Sequence, residues 1–166
     1  MRILIASMIV TFATLLGCGT SEETRREQMQ LGWVDRSALE RPEYHQFTTT
    51  YDTVRVSEEF VNLVRQLHSG VEFTVFFGTW CKDSQRELPR FLKVADMAGI
   101  SDDRVRLYGV DRSKKSPDGL TEKFDIKYVP TIIFLKNGSE IGRIIEKPHA
   151  TIEEDMVFIL AESQSK

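Results

Sequence analysis

An α/β domain, in which helices flank a central mixed sheet, is the fold class this sequence predicts, and three observations predict it. Residues 73–77 form an apolar run interrupted only by Thr74, the pattern of a strand buried on both faces. Along the rest of the chain, β-type runs alternate with segments whose apolar residues recur at helical spacing. Asn137-Gly138 separates two further strand-like runs and has the composition of a two-residue hairpin turn. The expected order is strand, helix, strand, helix, strand, helix, strand, strand, helix, with helix-linked strands parallel and the last pair antiparallel.

Taken in order, residues 47–56 are rich in Thr, Val, Phe and Tyr and predict a first strand. Ser57 offers an N-cap, and Phe60, Val61, Leu63, Val64 and Leu67 then fall on one helical face that ends at Gly70. The buried strand 73–77 leads into Thr79-Trp80-Cys81-Lys82-Asp83-Ser84. After it, Leu88, Phe91, Leu92, Val94, Ala95 and Met97 mark a helix ending near Gly99 and interrupted by Pro89, which removes one backbone donor and should kink it. Strands follow at 105–110 and 131–135, with a short helix at 120–124 between them. The hairpin partner is 140–145, and a closing helix covers 151–161.

The composition, 41% hydrophobic and 28% charged, suits a soluble domain, and the formal charge of -3 argues against a nucleic-acid partner. His45, His68 and His149 show no ligand spacing, so no metal and no cofactor are expected. Met1-Arg2 and the apolar run 3–16 have the charged start and short apolar middle of a secretory leader, and the run is shorter than the roughly 20 residues a membrane span needs. Leu15-Leu16-Gly17-Cys18 resembles the lipobox of bacterial lipoproteins. That resemblance implies a signal peptide over 1–17, lipid on Cys18, and a place in the bacterial cell envelope on the periplasmic or extracytoplasmic face, the outer membrane being favoured. Residues 18–45 are then a polar tether or N-terminal extension, on which Trp33 and Leu39 are candidates for docking, and 46–166 the globular domain. With Cys18 lipidated, Cys81 is left as the single thiol, and no internal disulfide can form.

The buried strand, Trp80-Cys81, the helix with Pro89, and Val129-Pro130-Thr131 before the Asn137-Gly138 hairpin together resemble the thioredoxin superfamily, in particular its envelope-type thiol-disulfide branch. The resemblance implies a thioredoxin fold and a cis bond before Pro130. It also implies that Cys81 is the nucleophile, that Trp80 shields it, and that the backbone of Val129 pairs with an extended client segment. Ser84 stands where the family's resolving Cys belongs, so the motif is monothiol, Cys-x-x-Ser. Val75 replaces the family's buried acid. Glu146 falls near a Gly of the loop beside the thiol, which brings a carboxylate toward the groove.

Cys81 itself sits at a strand-to-helix junction, where unpaired N–H groups, the helix dipole and Lys82 favour a thiolate. The Ser84 hydroxyl is a candidate donor to it, whereas Asp83 and Glu146 oppose it. Two functions fit. One is monothiol thiol-disulfide exchange, isomerase-like or ending in a mixed disulfide, on envelope proteins that bear thiols or disulfides. The other is a non-catalytic module that binds clients in the groove beside Pro130. Enzyme or binding module stays open at this point. The chain is expected to be a monomer, since coupling two chains through Cys81 would block the site.

Overall fold

The computed structural model describes residues 29–165. Five strands, β1 (Gly32–Val34), β2 (Val71–Phe77), β3 (Val105–Gly109), β4 (Thr131–Lys136) and β5 (Ser139–Ile145), make one sheet in the order β1-β3-β2-β4-β5. Only β2 and β3 pair in parallel. β1 on β3, β4 on β2 and β5 on β4 are antiparallel, which gives the mixed α/β sheet. The parallel relation expected of every helix-linked pair therefore fails at β4, because the connection from β3 crosses to the far side of β2 and enters from the opposite end. No helix among the described residues is long and apolar enough to cross a membrane.

The helices are α1 (His45–Thr53), α2 (Glu58–Leu67), α3 (Lys82–Ala98), the short α4 (Leu120–Lys123) and α5 (Ile152–Glu162). The strand expected over 47–56 is instead α1. Its β-branched residues misled, since β propensity reflects the surface a side chain packs on more than any fixed backbone preference. Here Phe47 is buried against Phe77, with ring centroids 6.2 Å apart. Thr48 and Thr53 turn their hydroxyls back to His45 O and Thr49 O at 3.0 and 2.7 Å. Lys93 on α3 donates to Tyr51 O and Val54 O at 2.9 and 3.0 Å and so satisfies carbonyls at the end of α1 that the helix leaves unpaired.

The chain ahead of residue 46 is packed on the domain from Gly32 onward, so the sheet takes in part of the stretch expected to be a tether. β1 lies against β3, Leu39 is buried, and Arg36 forms a two-pronged pair with Asp96 of α3 at 2.6 and 2.5 Å. Gly109 makes that docking possible: a Cβ there would sit 2.1 Å from Gln30 O. The lipobox and Cys18 lie outside the described residues.

β2 runs through the middle of the sheet and is buried on both faces. Phe73, Val75 and Phe77 belong to the large core beneath α1, α2, α3 and α5, while Phe76 points to a smaller cluster with Tyr108, Val110, Ile126, Val129 and Ile133. Trp80 and Cys81 pack against this second cluster. α3 runs through Pro89 as one helix and stops at Gly99, whose φ of 78° gives the left-handed cap. Between α3 and α5, Glu153 is buried. It accepts from Arg90 Nε and Nη2 at 3.1 and 3.0 Å and from Ser57 N at 3.1 Å, tying three helices at one point.

Candidate functional site

Strand β2 delivers the chain to Gly78, and a tight turn, with Cys81 N donating to Gly78 O at 2.9 Å, sets Cys81 at the N-cap of α3. The Gln85 side chain braces the same turn by donating to Thr79 O at 2.7 Å. Cys81 is half-buried and is the free cysteine of the described residues. Its Sγ donates to Val129 O at 3.2 Å, and the Val129–Pro130 bond is cis, as expected. Thiol, helix N-terminus and the cis-proline backbone, which come from distant parts of the sequence, therefore meet at one point.

Ser84 is fully buried one turn into α3, and its hydroxyl accepts from Gly78 N at 3.2 Å. The expected bond from Ser84 to Cys81 is not made, because the hydroxyl meets the need of a buried backbone N–H in the turn. Val75 is completely buried within β2, opposite Leu107 and Ile132, so the sheet at that position is hydrocarbon.

Glu146 takes a left-handed backbone, φ 57°, and its N–H donates to Pro130 O at 2.7 Å. The loop expected beside the groove is therefore fastened to the cis-proline itself. The next residue, Lys147, comes within 4.0 Å of Asp83, which also receives Arg86 Nη2 at 2.7 Å. Lys82 is exposed at the first position of the helix. On this flank of the thiol, cations and carboxylates largely answer one another.

The other flank differs. The Trp80 indole folds back over Gly78, donates from Nε1 to Val110 O at 2.9 Å, and occupies the space a Cβ on residue 78 would need, 2.7 Å away. The Arg112 guanidinium lies over the indole, 4.8 Å from the ring centroid, with Lys114 Nζ at 5.9 Å. Neither Arg112 nor Lys147 is flagged by a sequence motif. Both reach the site only because the ends of β3 and β5 flank the thiol turn. In the small cluster that Trp80 packs against, burial together with donation to Asp118 at 2.8 Å holds the Tyr108 phenol above its ordinary range. Among the described residues, no three His, Cys, Asp or Glu side chains converge as a metal-binding set.

A family model described as Thioredoxin matches residues 37–160. The chain belongs to the thioredoxin family. Among relatives of this thioredoxin-family chain, a protein disulfide-isomerase from Datisca glomerata is 27% identical over 90 residues, covering 54% of this chain and 17% of that protein. A thioredoxin from Malassezia sympodialis is 31% identical over 70 residues, covering 42% of this chain and 63% of the relative. The match thus spans less than two thirds of either relative. A solved structure of a protein of unknown function from Pseudomonas aeruginosa superposes with a TM-score of 0.53 at 14% identity, over 73% of this chain and 83% of that one, which shows a shared fold.

Proposed function

We propose that this thioredoxin-family protein carries out monothiol thiol-disulfide exchange through Cys81. One observation carries the reading: the half-buried thiol, at a helix N-terminus, donates to Val129 O at 3.2 Å beside the cis Val129–Pro130 bond. An extended client segment lying along that backbone by strand addition would bring its disulfide to the sulfur. The Cys81 thiolate attacks one sulfur of the client disulfide. A bond forms between them, the client S–S bond breaks, and the other client sulfur leaves as a thiolate that takes up the proton Cys81 gave away.

Ser84 offers no second sulfur at its buried position, so the mixed disulfide waits for another thiol. If a client thiol resolves it, disulfides are rearranged with no net change in electrons. If small thiols do so, the first attacks the Cys81 sulfur and displaces the client sulfur as a thiolate. A second attacks the small thiol now bonded to Cys81, which frees Cys81 and leaves the two small thiols joined as one disulfide that has supplied the two electrons. Lipid on Cys18 would hold this chemistry at a bacterial envelope membrane. Labelling with a palmitate analogue should mark the wild type and not Cys18→Ala, and equal labelling of both would remove the anchor.

The test of the exchange is to trap clients on wild type and on Cys81→Ala and compare reducing with non-reducing gels. Reductant-sensitive adducts on wild type alone are expected. Equal capture by both forms would leave non-covalent groove binding as the function. In a second, turnover assay, Ser84→Cys should raise dithiothreitol-driven reduction of a disulfide substrate by at least about tenfold, since it restores internal resolution.

A further inference from the structure

The two flanks of the thiol differ in charge pairing. Arg86 holds Asp83 and Glu87, Arg90 holds Glu153, Arg143 holds Glu140, and Arg36 holds Asp96 and Asp102. Arg112 holds no carboxylate among the described residues, and its guanidinium lies over the face of Trp80, 4.8 Å from the ring centroid. The indole beneath it is itself fixed by Val110 O at 2.9 Å and belongs to the residue next to Cys81. A guanidinium held over a ring by one face still carries its N–H donors around its rim, and that planar fork can take a carboxylate two-pronged.

The loop also turns its other charges to suit. Asp111 Oδ1 is engaged by Ser113 N and Oγ at 2.8 and 2.6 Å, closing the turn that presents Arg112. Lys114 adds a second cation 5.9 Å from the same ring, and its Nζ lies 3.5 Å from Arg112 O. Glu122 and Asp125 share a shallow depression with Lys114, and Asp125 is paired with Lys127 at 3.1 Å. Arg112 is thus exposed, lies over the indole of the residue next to the reactive sulfur, and holds no carboxylate among the described residues.

We propose that the Trp80 side of the site is a carboxylate-recognising subsite, in which Arg112, seconded by Lys114, receives an Asp or Glu of the polypeptide segment that presents its disulfide to Cys81. Clients are then selected for acidic residues close to the cysteine they offer. This rests on exchange at Cys81 and names the class of partner for that site. Arg112 acts by binding the client and takes no part in the bond exchange.

The test uses the full chain and three peptides of one sequence, each carrying a cysteine as its 2-thiopyridyl disulfide and flanked by Glu, Gln or Lys. Thiopyridone release reports the attack of Cys81. For wild type at low salt, the Glu peptide should react about 5- to 20-fold faster than the Lys peptide, with Gln between, and the ratio should fall toward one as salt screens the charges. Arg112→Lys should retain the order with a smaller ratio, Arg112→Gln should shrink it to within about twofold, and Arg112→Glu should reverse it. Thermal melts accompany each variant, and because the readout is a ratio between peptides, partial unfolding lowers all rates without mimicking a change of order. Equal rates for the three peptides on wild type, or a ratio that Arg112→Glu leaves intact, overturns the subsite while leaving exchange standing. Absence of release from every peptide overturns both.

Discussion

Glu146 carries a branched-off carboxylate on a backbone bent into the left-handed region, φ 57°, while its N–H is held by Pro130 O. An L-residue there brings Cβ close to the carbonyl oxygen and costs about 1–2 kcal/mol, against which glycine's greater freedom in the unfolded chain offsets roughly 0.5–1 kcal/mol. Glu146→Gly should therefore raise stability by about 0.5–1 kcal/mol in urea unfolding. A loss of stability would mean that the Glu146 side chain makes a contact worth more than the backbone cost. Asn137 takes nearly the same backbone, φ 51°, in the β4–β5 turn, but with a residue type suited to it. Lys114 shares the backbone at φ 55° without a suited residue type, but of the two it is Glu146 whose N–H is fastened to the cis-proline carbonyl.

At the scale of elements, β1 is the most conditional part of the sheet. It has three residues, one neighbour, and a contact at Gly109 that leaves no space for a methyl group. The obstructing atom is the backbone oxygen of Gln30, so no side chain can swing aside. Gly109→Ala should displace β1 and cost about 2–3 kcal/mol, within the range of mutations that force a backbone apart. Amide exchange over 32–34 and 107–109 should speed up while β2 and β4 keep their protection. Unchanged exchange at 32–34 would show that the edge accommodates the methyl by a shift. β1 is anchored from outside as well, by Trp33 under Arg106 at 3.8 Å and against Tyr108 at 5.1 Å.

For the molecule as a whole, the helices are fastened by a buried carboxylate. Burial alone would raise the Glu153 carboxyl, but the bonds from Arg90, its own N–H and Ser57 N, together with the Arg90 charge, outweigh that and hold it below its usual value. Its folded form therefore keeps the charge to lower pH than the unfolded chain does. The stabilisation is in full above the unfolded value, about 4.3, and is lost as pH falls through the depressed folded one. Between pH 7 and about 3, wild type should lose more stability than Glu153→Gln, and parallel pH slopes for the two proteins would refute the role. This knot also shows what was legible in the chain and what was not. Ser57 reads correctly as the start of α2, but its side chain makes no cap bond, and the partner of its N–H arrives from α5, 96 residues away. Local patterns located β2 through β5, the long helix and the hairpin, because period and turn chemistry are local. They misplaced α1 and missed β1, whose forms depend on Lys93, Phe77 and Gly109 brought from elsewhere. At the site, Cys81, Trp80 and Pro130 were legible by motif, whereas Arg112 and Lys147 depend on loop placement alone.

The sheet order has a further consequence. The thiol turn hangs from β2, paired on both sides and buried on both faces, a strand expected to open only when the whole domain unfolds. The loop bearing Arg112 hangs from β3, whose outer neighbour is the three-residue β1. Partial opening on warming or in mild denaturant thus reaches the discriminating cation before the sulfur, and such conditions would make the protein indiscriminate before they make it inert.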